Sequence, residues 1–179
     1  MRKVLIVIDM QNDFVSGALG TAEAQLIVSG IRKEMDTYHS NGDTVIFTQD
    51  THQEDYLETQ EGVRLPVRHC IQGTPGWKVV KELEEEECLH ICKPSFGYTG
   101  WKKVFDDLYK AAPFGKAEDE IELTGVCTDI CVVSNALILK ALFPESRIVV
   151  RRSLCAATTP AMQEATLSVM KSCQVDVLD

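Results

Sequence analysis

Thr124-Gly125-Val126-Cys127-Thr128-Asp129-Ile130-Cys131-Val132 is the stretch that decides how this chain folds. The apolar, β-favouring run Ile121 to Val126 contains a glycine and leads into a Thr-Asp pair suited to capping a helix. An apolar helical pattern then runs from Val132 to Leu142. The segment reads as strand, turn and helix, with Cys131 in the first helical turn, just past a strand's carboxyl end. Backbone N–H groups there are unpaired, and the helix dipole favours negative charge. A thiol in that place is expected to ionise more easily than a free one. The same N–H groups can stabilise an oxyanion formed beside the sulfur.

The same alternation extends outward in both directions. Lys3 to Ile8 is a short Val/Ile run suited to a strand buried on both faces. Ala22 to His39 has helical periodicity through Leu26, Ile27, Ile31 and Met35, and Asn41-Gly42-Asp43 ends it. Thr44 to Thr48 is a second strand. Gln49 to Gly76 is a long polar stretch with Pro66, Gly73, Pro75 and Gly76, a length that points to a functional loop or to disorder. Trp77 to Glu86 reads as a helix running into an acidic, solvated end at Glu84 to Glu87. Leu89 to Cys92 is a third strand, halted by Pro94, and Trp101 to Tyr109 a helix. Glu120 to Val126 and Asp129 to Leu142 follow as strand and helix. Arg147 to Val150, Pro160 to Cys173 (proline in its first turn) and Val175 to Leu178 complete the series. Strands alternating with helices imply an α/β fold. The expectation is one domain over residues 1–179, a three-layer α/β/α sandwich around a mainly parallel sheet of about six strands.

Composition narrows the function. The 179 residues and 45% apolar content suit a single globular core. With 27 acidic against 18 basic side chains the formal charge is −9, which argues against a nucleic-acid partner. No run approaches the roughly 20 apolar residues of a membrane span. Arg2 and Lys3 precede a short apolar run, but Asp9 and Asp13 interrupt it and no small-residue cleavage site follows. Seven cysteines, an odd number, fit a reducing compartment, and the chain is read as cytoplasmic.

In a parallel sheet, ligands sit beyond the carboxyl ends of the strands. Asp9, Asp50, Lys93 and the Cys127–Cys131 segment all fall there. A cysteine nucleophile needs a proton acceptor, a positive field and donors for the oxyanion. Asp9, Lys93 and the N–H groups of Cys127 and Cys131 can supply these. None of the four histidines follows a strand in the manner of a Cys–His pair, so a carboxylate is the expected base. Read singly, Asp9 is equally a loop cap, Lys93 a surface lysine and Cys131 a small core residue. Asp50-Thr51-His52 with the distant His69 offers one carboxylate and two imidazoles, enough for an open divalent-metal site, or merely for loop capping. Cys88-x-x-x-Cys92 and Cys127-x-x-x-Cys131 have spacings that a structural Cys₄ zinc site can use.

Several separated blocks together resemble the cysteine-hydrolase branch of the isochorismatase-like family, nicotinamidases (pyrazinamidases) most closely. They are Val4-Leu5-Ile6-Val7-Ile8-Asp9-Met10-Gln11-Asn12-Asp13-Phe14, Thr48-Gln49-Asp50-Thr51-His52, His69-Cys70-Ile71-Gln72-Gly73-Thr74-Pro75-Gly76, Lys93, and Gly125 to Val132. The resemblance implies an amidohydrolase acting on a small carboxamide, with nicotinamide converted to nicotinate and ammonia as the leading case. It implies that Cys131 attacks the amide carbon to form a thioester. Asp9 shuttles the proton and activates water, and Lys93 holds Asp9. A cis Val126–Cys127 peptide would turn N–H groups toward the oxyanion. Asp50, His52 and His69 would bind Zn²⁺, or alternatively Mn²⁺ or Fe²⁺, with water, Glu58 or Glu61 completing the set. Phe14 would pack on a flat substrate ring; the segment Lys93-Pro94-Ser95-Phe96-Gly97-Tyr98-Thr99-Gly100-Trp101 carries two aromatics expected to line the pocket, with Tyr98 as a substrate contact.

The sequence also departs from the family pattern. Asp50-Thr51-His52-Gln53 lacks the aromatic and proline common around this histidine. Cys127 stands where alanine is common, as an inert small residue or a resolving thiol. True isochorismatases lack the cysteine nucleophile, so Cys131 argues against that reaction. A hydrolase of N-carbamoyl or ureido amides and a non-catalytic relative are the alternatives. The family also implies a homo-oligomer.

Overall fold

The computed structural model describes residues 2–179. Six strands form one sheet: β1 (Lys3–Ile8), β2 (Thr44–Asp50), β3 (Leu89–Lys93), β4 (Glu120–Val126), β5 (Arg147–Ala156) and β6 (Asp176–Leu178). Their order is β3-β2-β1-β4-β5-β6, and every pairing is parallel. Alternation along β1 sends its side chains to two cores. Val4, Ile6 and Ile8 pack with α4 (Trp101–Leu108), α5 (Val133–Leu142) and α6 (Pro160–Ser172). Leu5 and Val7 pack on the other face with α2 (Ala22–Ser40). The result is a parallel sheet covered by helices on both sides, as the strand–helix alternation predicts.

Helix α2 shows why the pattern is readable. Thr21 caps it by accepting from the Ala24 N–H at 3.0 Å. Ala24, Ile27, Ile31, Met35 and Tyr38 form its buried stripe. Leu26 belongs to the same apolar run but is 78% exposed, because a step of about 100° separates it from Ile27.

The sheet order reverses between β1 and β4, which leaves a crevice at their carboxyl ends. Gly125 lets the two strands meet there. It pairs with Ile8, its φ is +110°, and a Cβ on it would stand 2.1 Å from the Ile8 carbonyl oxygen. Backbone atoms on both sides cannot yield as a side chain would. Gly125→Ala is therefore expected to cost at least about 3 kcal/mol. Urea unfolding checks this, and an unchanged midpoint contradicts it.

Local expectations differ from the structure at Trp77–Glu86 and at the end of β5, and of the two readings of Gln49–Gly76 disorder is not the one seen. Trp77–Glu86 forms no helix. Val79 pairs antiparallel with Gln11, and the Val80 N–H donates to the Met10 carbonyl at 2.9 Å. The chain is thus held along the end of β1, burying Val79, Val80 and Leu83. The Gln49–Gly76 stretch is ordered, with a turn at Tyr56–Glu58 and a short helix α3 at Gln60–Arg64 capped by Thr59. Strand β5 runs on to Ala156, well beyond Val150. A four-residue helix α1, Asn12–Val15, also follows β1. Among the described residues no helix is long and apolar enough to cross a membrane.

Candidate active site

Four strand ends deliver the polar residues of the crevice. Asp9 follows β1 in a tight turn, with φ +50° and its carbonyl accepting from the Gln11 N–H at 2.7 Å. Its side chain is wholly buried, and Thr48 Oγ1 donates to Oδ1 at 2.7 Å. Lys93 ends β3, also wholly buried, with Nζ 2.7 Å from Asp9 Oδ2. The same Nζ lies 3.5 Å from Asp50 Oδ1 and donates to Cys131 Sγ at 3.5 Å. A buried ammonium without partners would cost several kcal/mol, so the carboxylates are what keep Lys93 charged in this place.

The turn after β4 carries the sulfur. The Val126–Cys127 peptide bond is cis. Thr128–Val132 then forms a wide turn in which the Val132 N–H reaches the Cys127 carbonyl at 3.0 Å. Helix α5 starts only at Val133, so Cys131 sits in the wide turn rather than in a first α-helical turn. Asp129 does not cap it. Its carboxylate accepts from the Thr158 N–H at 3.0 Å and binds the Thr158 hydroxyl, tying this turn to the one after β5.

Asp50, His52, Glu61 and His69 each offer a donor atom within 4.8 Å of the others. His52 Nε2 is 3.0 Å from Asp50 Oδ2 and 3.5 Å from Glu61 Oε1. His69 Nε2 is 3.6 and 3.8 Å from the same two oxygens. His69 Nδ1 donates to the Val67 carbonyl at 2.8 Å, which orients Nε2 toward the cluster. His52 Nε2 is buried with no hydrogen-bond partner among the described residues. Two imidazole Nε2 atoms beside two carboxylates are a donor set that fits a divalent cation of the Zn²⁺, Mn²⁺ or Fe²⁺ kind. Glu58 is exposed and outside the group; Glu61 is the carboxylate that joins it.

A cavity of about 700 Å³ opens over this floor. Cys131, Cys127, Asp50 and His69 line its base, and Phe14, Leu65, Phe96 and Ile130 its apolar walls. Phe14 lies 5.4 Å from the His69 ring, centroid to centroid. Tyr98, expected as a substrate contact, does not line the cavity. Its ring packs edge-on against Trp101 at 5.4 Å, and Phe96 lines the cavity instead. The Cys₄ zinc alternative also fails: of its four cysteines, only Cys88 belongs to any group of donors close enough to share an ion among the described residues.

The family model of the isochorismatase domain matches residues 3–179. This chain belongs to the isochorismatase family. It is 32% identical over 143 residues to the family protein PncA of Bacillus subtilis, covering 76% of this chain and 78% of that one. It is 21% identical over 215 residues to a nicotinamidase of Saccharomyces cerevisiae, covering 99% of each. The pyrazinamidase of Pyrococcus horikoshii, solved in complex with zinc, superposes with a TM-score of 0.83 at 26% identity, covering 100% of this chain and 99% of that one.

In this member of the isochorismatase family the electrostatics reverse one expectation. Burial pushes the Cys131 thiol well above its ordinary range, and the negative charge of Asp9 adds to this, while Lys93 pulls it down by less. Burial also raises Asp9, against the pull of Lys93 and with help from Asp50. The free site therefore holds a neutral thiol beside a carboxylate of raised basicity. Burial lowers His52, but Asp50 and Glu61 outweigh it and lift the ring to about 9. A cation held by these residues would require the neutral ring.

Two supporting residues carried no signal in the strand-end argument. Gln11 donates to the Asp50 and Trp77 carbonyls, both at 2.8 Å, and accepts from the Asp50 N–H at 2.7 Å. Asn135, wholly buried in α5, accepts from the Tyr98 N–H at 3.0 Å and from Trp101 Nε1 at 2.9 Å. It donates to the Cys131 carbonyl at 2.8 Å and the Phe96 carbonyl at 3.1 Å. That uses the amide's full capacity and fastens the Phe96 wall to the Cys131 turn. An asparagine inside an apolar helical run, four residues after Cys131, is the signal that could have found it.

Proposed function

We propose that this chain is an amidohydrolase that cleaves nicotinamide to nicotinate and ammonia through a thioester on Cys131. The observation that carries this reading is one buried ammonium, Lys93 Nζ, touching both Asp9 Oδ2 at 2.7 Å and Cys131 Sγ at 3.5 Å. The relatives named as nicotinamidase and pyrazinamidase supply the substrate. Cys131 Sγ attacks the carboxamide carbon as its proton passes to Asp9. The N–H groups of Cys127 and Cys131 receive the oxyanion. Asp9 returns the proton to the leaving nitrogen, and ammonia departs. Water, deprotonated by Asp9, then releases the acid and restores the thiol. Lys93 fixes the carboxylate and balances its charge. Phe14 packs on the aromatic ring of the substrate.

Asp50, His52, His69 and Glu61 would hold a divalent cation, Zn²⁺ foremost. When bound, that ion supplies a positive anchor for the pyridine nitrogen. We also read the protein as a cytoplasmic homo-oligomer, with its seven free cysteines suited to a reducing compartment.

Ammonia release measured over a panel of amides, with and without chelator, tests the assignment. Nicotinamide is expected to lead the panel. Preferential turnover of N-carbamoyl substrates would transfer the assignment to the ureido-amide alternative. Chelation is expected to lower kcat/KM on nicotinamide by at least about tenfold, with recovery on adding Zn²⁺ or Mn²⁺. His52→Ala should weaken metal binding by at least about tenfold. Full activity in the metal-stripped protein contradicts this part of the reading.

A further inference from the structure

A second group of ligating side chains lies at the opposite end of the sheet. His39 is in the last turn of α2, and Glu85 and Cys88 stand in the turn that leads into β3. His39 Nε2 is 2.7 Å from Glu85 Oε2, and Cys88 Sγ donates to that same oxygen at 3.2 Å. All three donor atoms lie within 4.8 Å of one another. Arg32 Nη1 holds the other oxygen, Glu85 Oε1, at 2.6 Å, which turns Oε2 toward the histidine and the cysteine. His90 Nε2 meets the Glu85 carbonyl at 3.0 Å and fixes the backbone of the turn. A concavity of about 650 Å³ opens here, lined by these three residues with Glu86 and Glu87.

From this convergence we propose that His39, Glu85 and Cys88 form a second transition-metal site, selective for Zn²⁺ or a similar borderline-soft ion. The donor types decide the class. Imidazole and thiolate favour Zn²⁺ and Co²⁺, while Mg²⁺ and Ca²⁺ take oxygen alone. Bond lengths of about 2.0–2.3 Å in a tetrahedral site set neighbouring donors roughly 3.3–3.7 Å apart. The two spacings to Glu85 Oε2, 2.7 and 3.2 Å, lie within about 1 Å of that range, and the third is no more than 4.8 Å. The ion forms a bond to Cys88 Sγ, the thiol proton leaves to solvent, and water fills the fourth position. Glu86 and Glu87 at the rim concentrate cations around it.

The site is separate from the Asp50 cluster. Cys88 immediately precedes β3 and Lys93 ends it, so about 16 Å of extended chain lies between them. The ion would join the end of α2 to the first residues of an edge strand whose far end carries Lys93.

Titration of the metal-stripped, reduced full chain with Co²⁺ tests this, read by thiolate-to-cobalt charge-transfer absorption and by bound stoichiometry. Two equivalents are expected, one of them carrying the charge-transfer band. Cys88→Ser should remove the band and one equivalent while leaving amide turnover unchanged. His39→Ala, at a half-exposed helix end, should weaken that same equivalent by at least about tenfold, and it serves as the test if Cys88→Ser fails to fold. A band that survives Cys88→Ser, or binding insensitive to His39→Ala, overturns the proposal. A single equivalent that depends on Cys88 and His39 upholds this site and counts instead against the Asp50 cluster.

Discussion

Replacing Cys131 by alanine is expected to lower kcat on nicotinamide by about 10⁴-fold or more while the protein remains folded. Two thiols line the crevice, Cys127 and Cys131, and it is Cys131 Sγ that lies 3.5 Å from the Lys93 ammonium, which in turn contacts Asp9. Alanine removes a small buried group, so the stability cost stays near 1–2 kcal/mol. Substrate binding should persist, because Phe14, His69 and Asp50 are untouched. Ammonia release, with urea unfolding alongside, separates loss of chemistry from loss of fold. Residual turnover above about one per cent of the unsubstituted rate would show that another group performs the attack.

Lys93→Met is expected to damage both stability and catalysis. It leaves Asp9 and Asp50 buried without the ammonium that contacts them. Breaking a buried pair from one side costs about 3–5 kcal/mol. The Asp9 carboxyl is already raised by burial, with Lys93 holding it down. Without Lys93 it rises further, so Asp9 keeps its proton and can no longer accept one from the thiol. The loss in kcat/KM should reach about 10³-fold.

The pH dependence of the stability loss follows in sign. A carboxyl whose folded pKa lies above its unfolded value binds more protons when folded, so stability falls as pH rises through that window. The stability deficit of Lys93→Met relative to the unsubstituted chain should therefore be larger at pH 7 than at pH 5. The double variant Asp9→Asn, Lys93→Met should recover part of the stability but not activity, since Asp9 then carries no unpaired charge while Asp50 still lacks the ammonium. Equal deficits at the two pH values, or recovered turnover in the double variant, would mean the pair is not coupled in this way.

Elements whose burial is periodic were legible in the sequence. The Val/Ile run of β1 and the Ile27, Ile31, Met35 stripe of α2 have single solutions in an α/β sandwich. The strand ends then place Asp9, Asp50, Lys93 and Cys131 on one edge, because parallel strands share a direction. Trp77–Glu86 was not legible. Its apolar spacing suits a helix, and only pairing with Gln11 and Met10, far away in sequence, draws it out. The choice between Glu58 and Glu61 needed the path of α3. Of the aromatics between Lys93 and Trp101, Phe96 lines the cavity and Tyr98 does not, a choice that composition does not reveal. The ionisation of Cys131 was misjudged for a different reason. Helix-start reasoning counts the dipole and the neighbouring lysine, whereas complete burial and the charge of Asp9 outweigh both.

The most direct test of the account is to trap the acyl-enzyme. Acid quench during turnover of nicotinamide, followed by mass analysis of the protein and its peptides, should show a nicotinoyl mass increase confined to the peptide carrying Cys131 and absent from Cys131→Ala. An adduct that maps to Cys127, or turnover with no adduct under single-turnover sampling that resolves the burst, would contradict it.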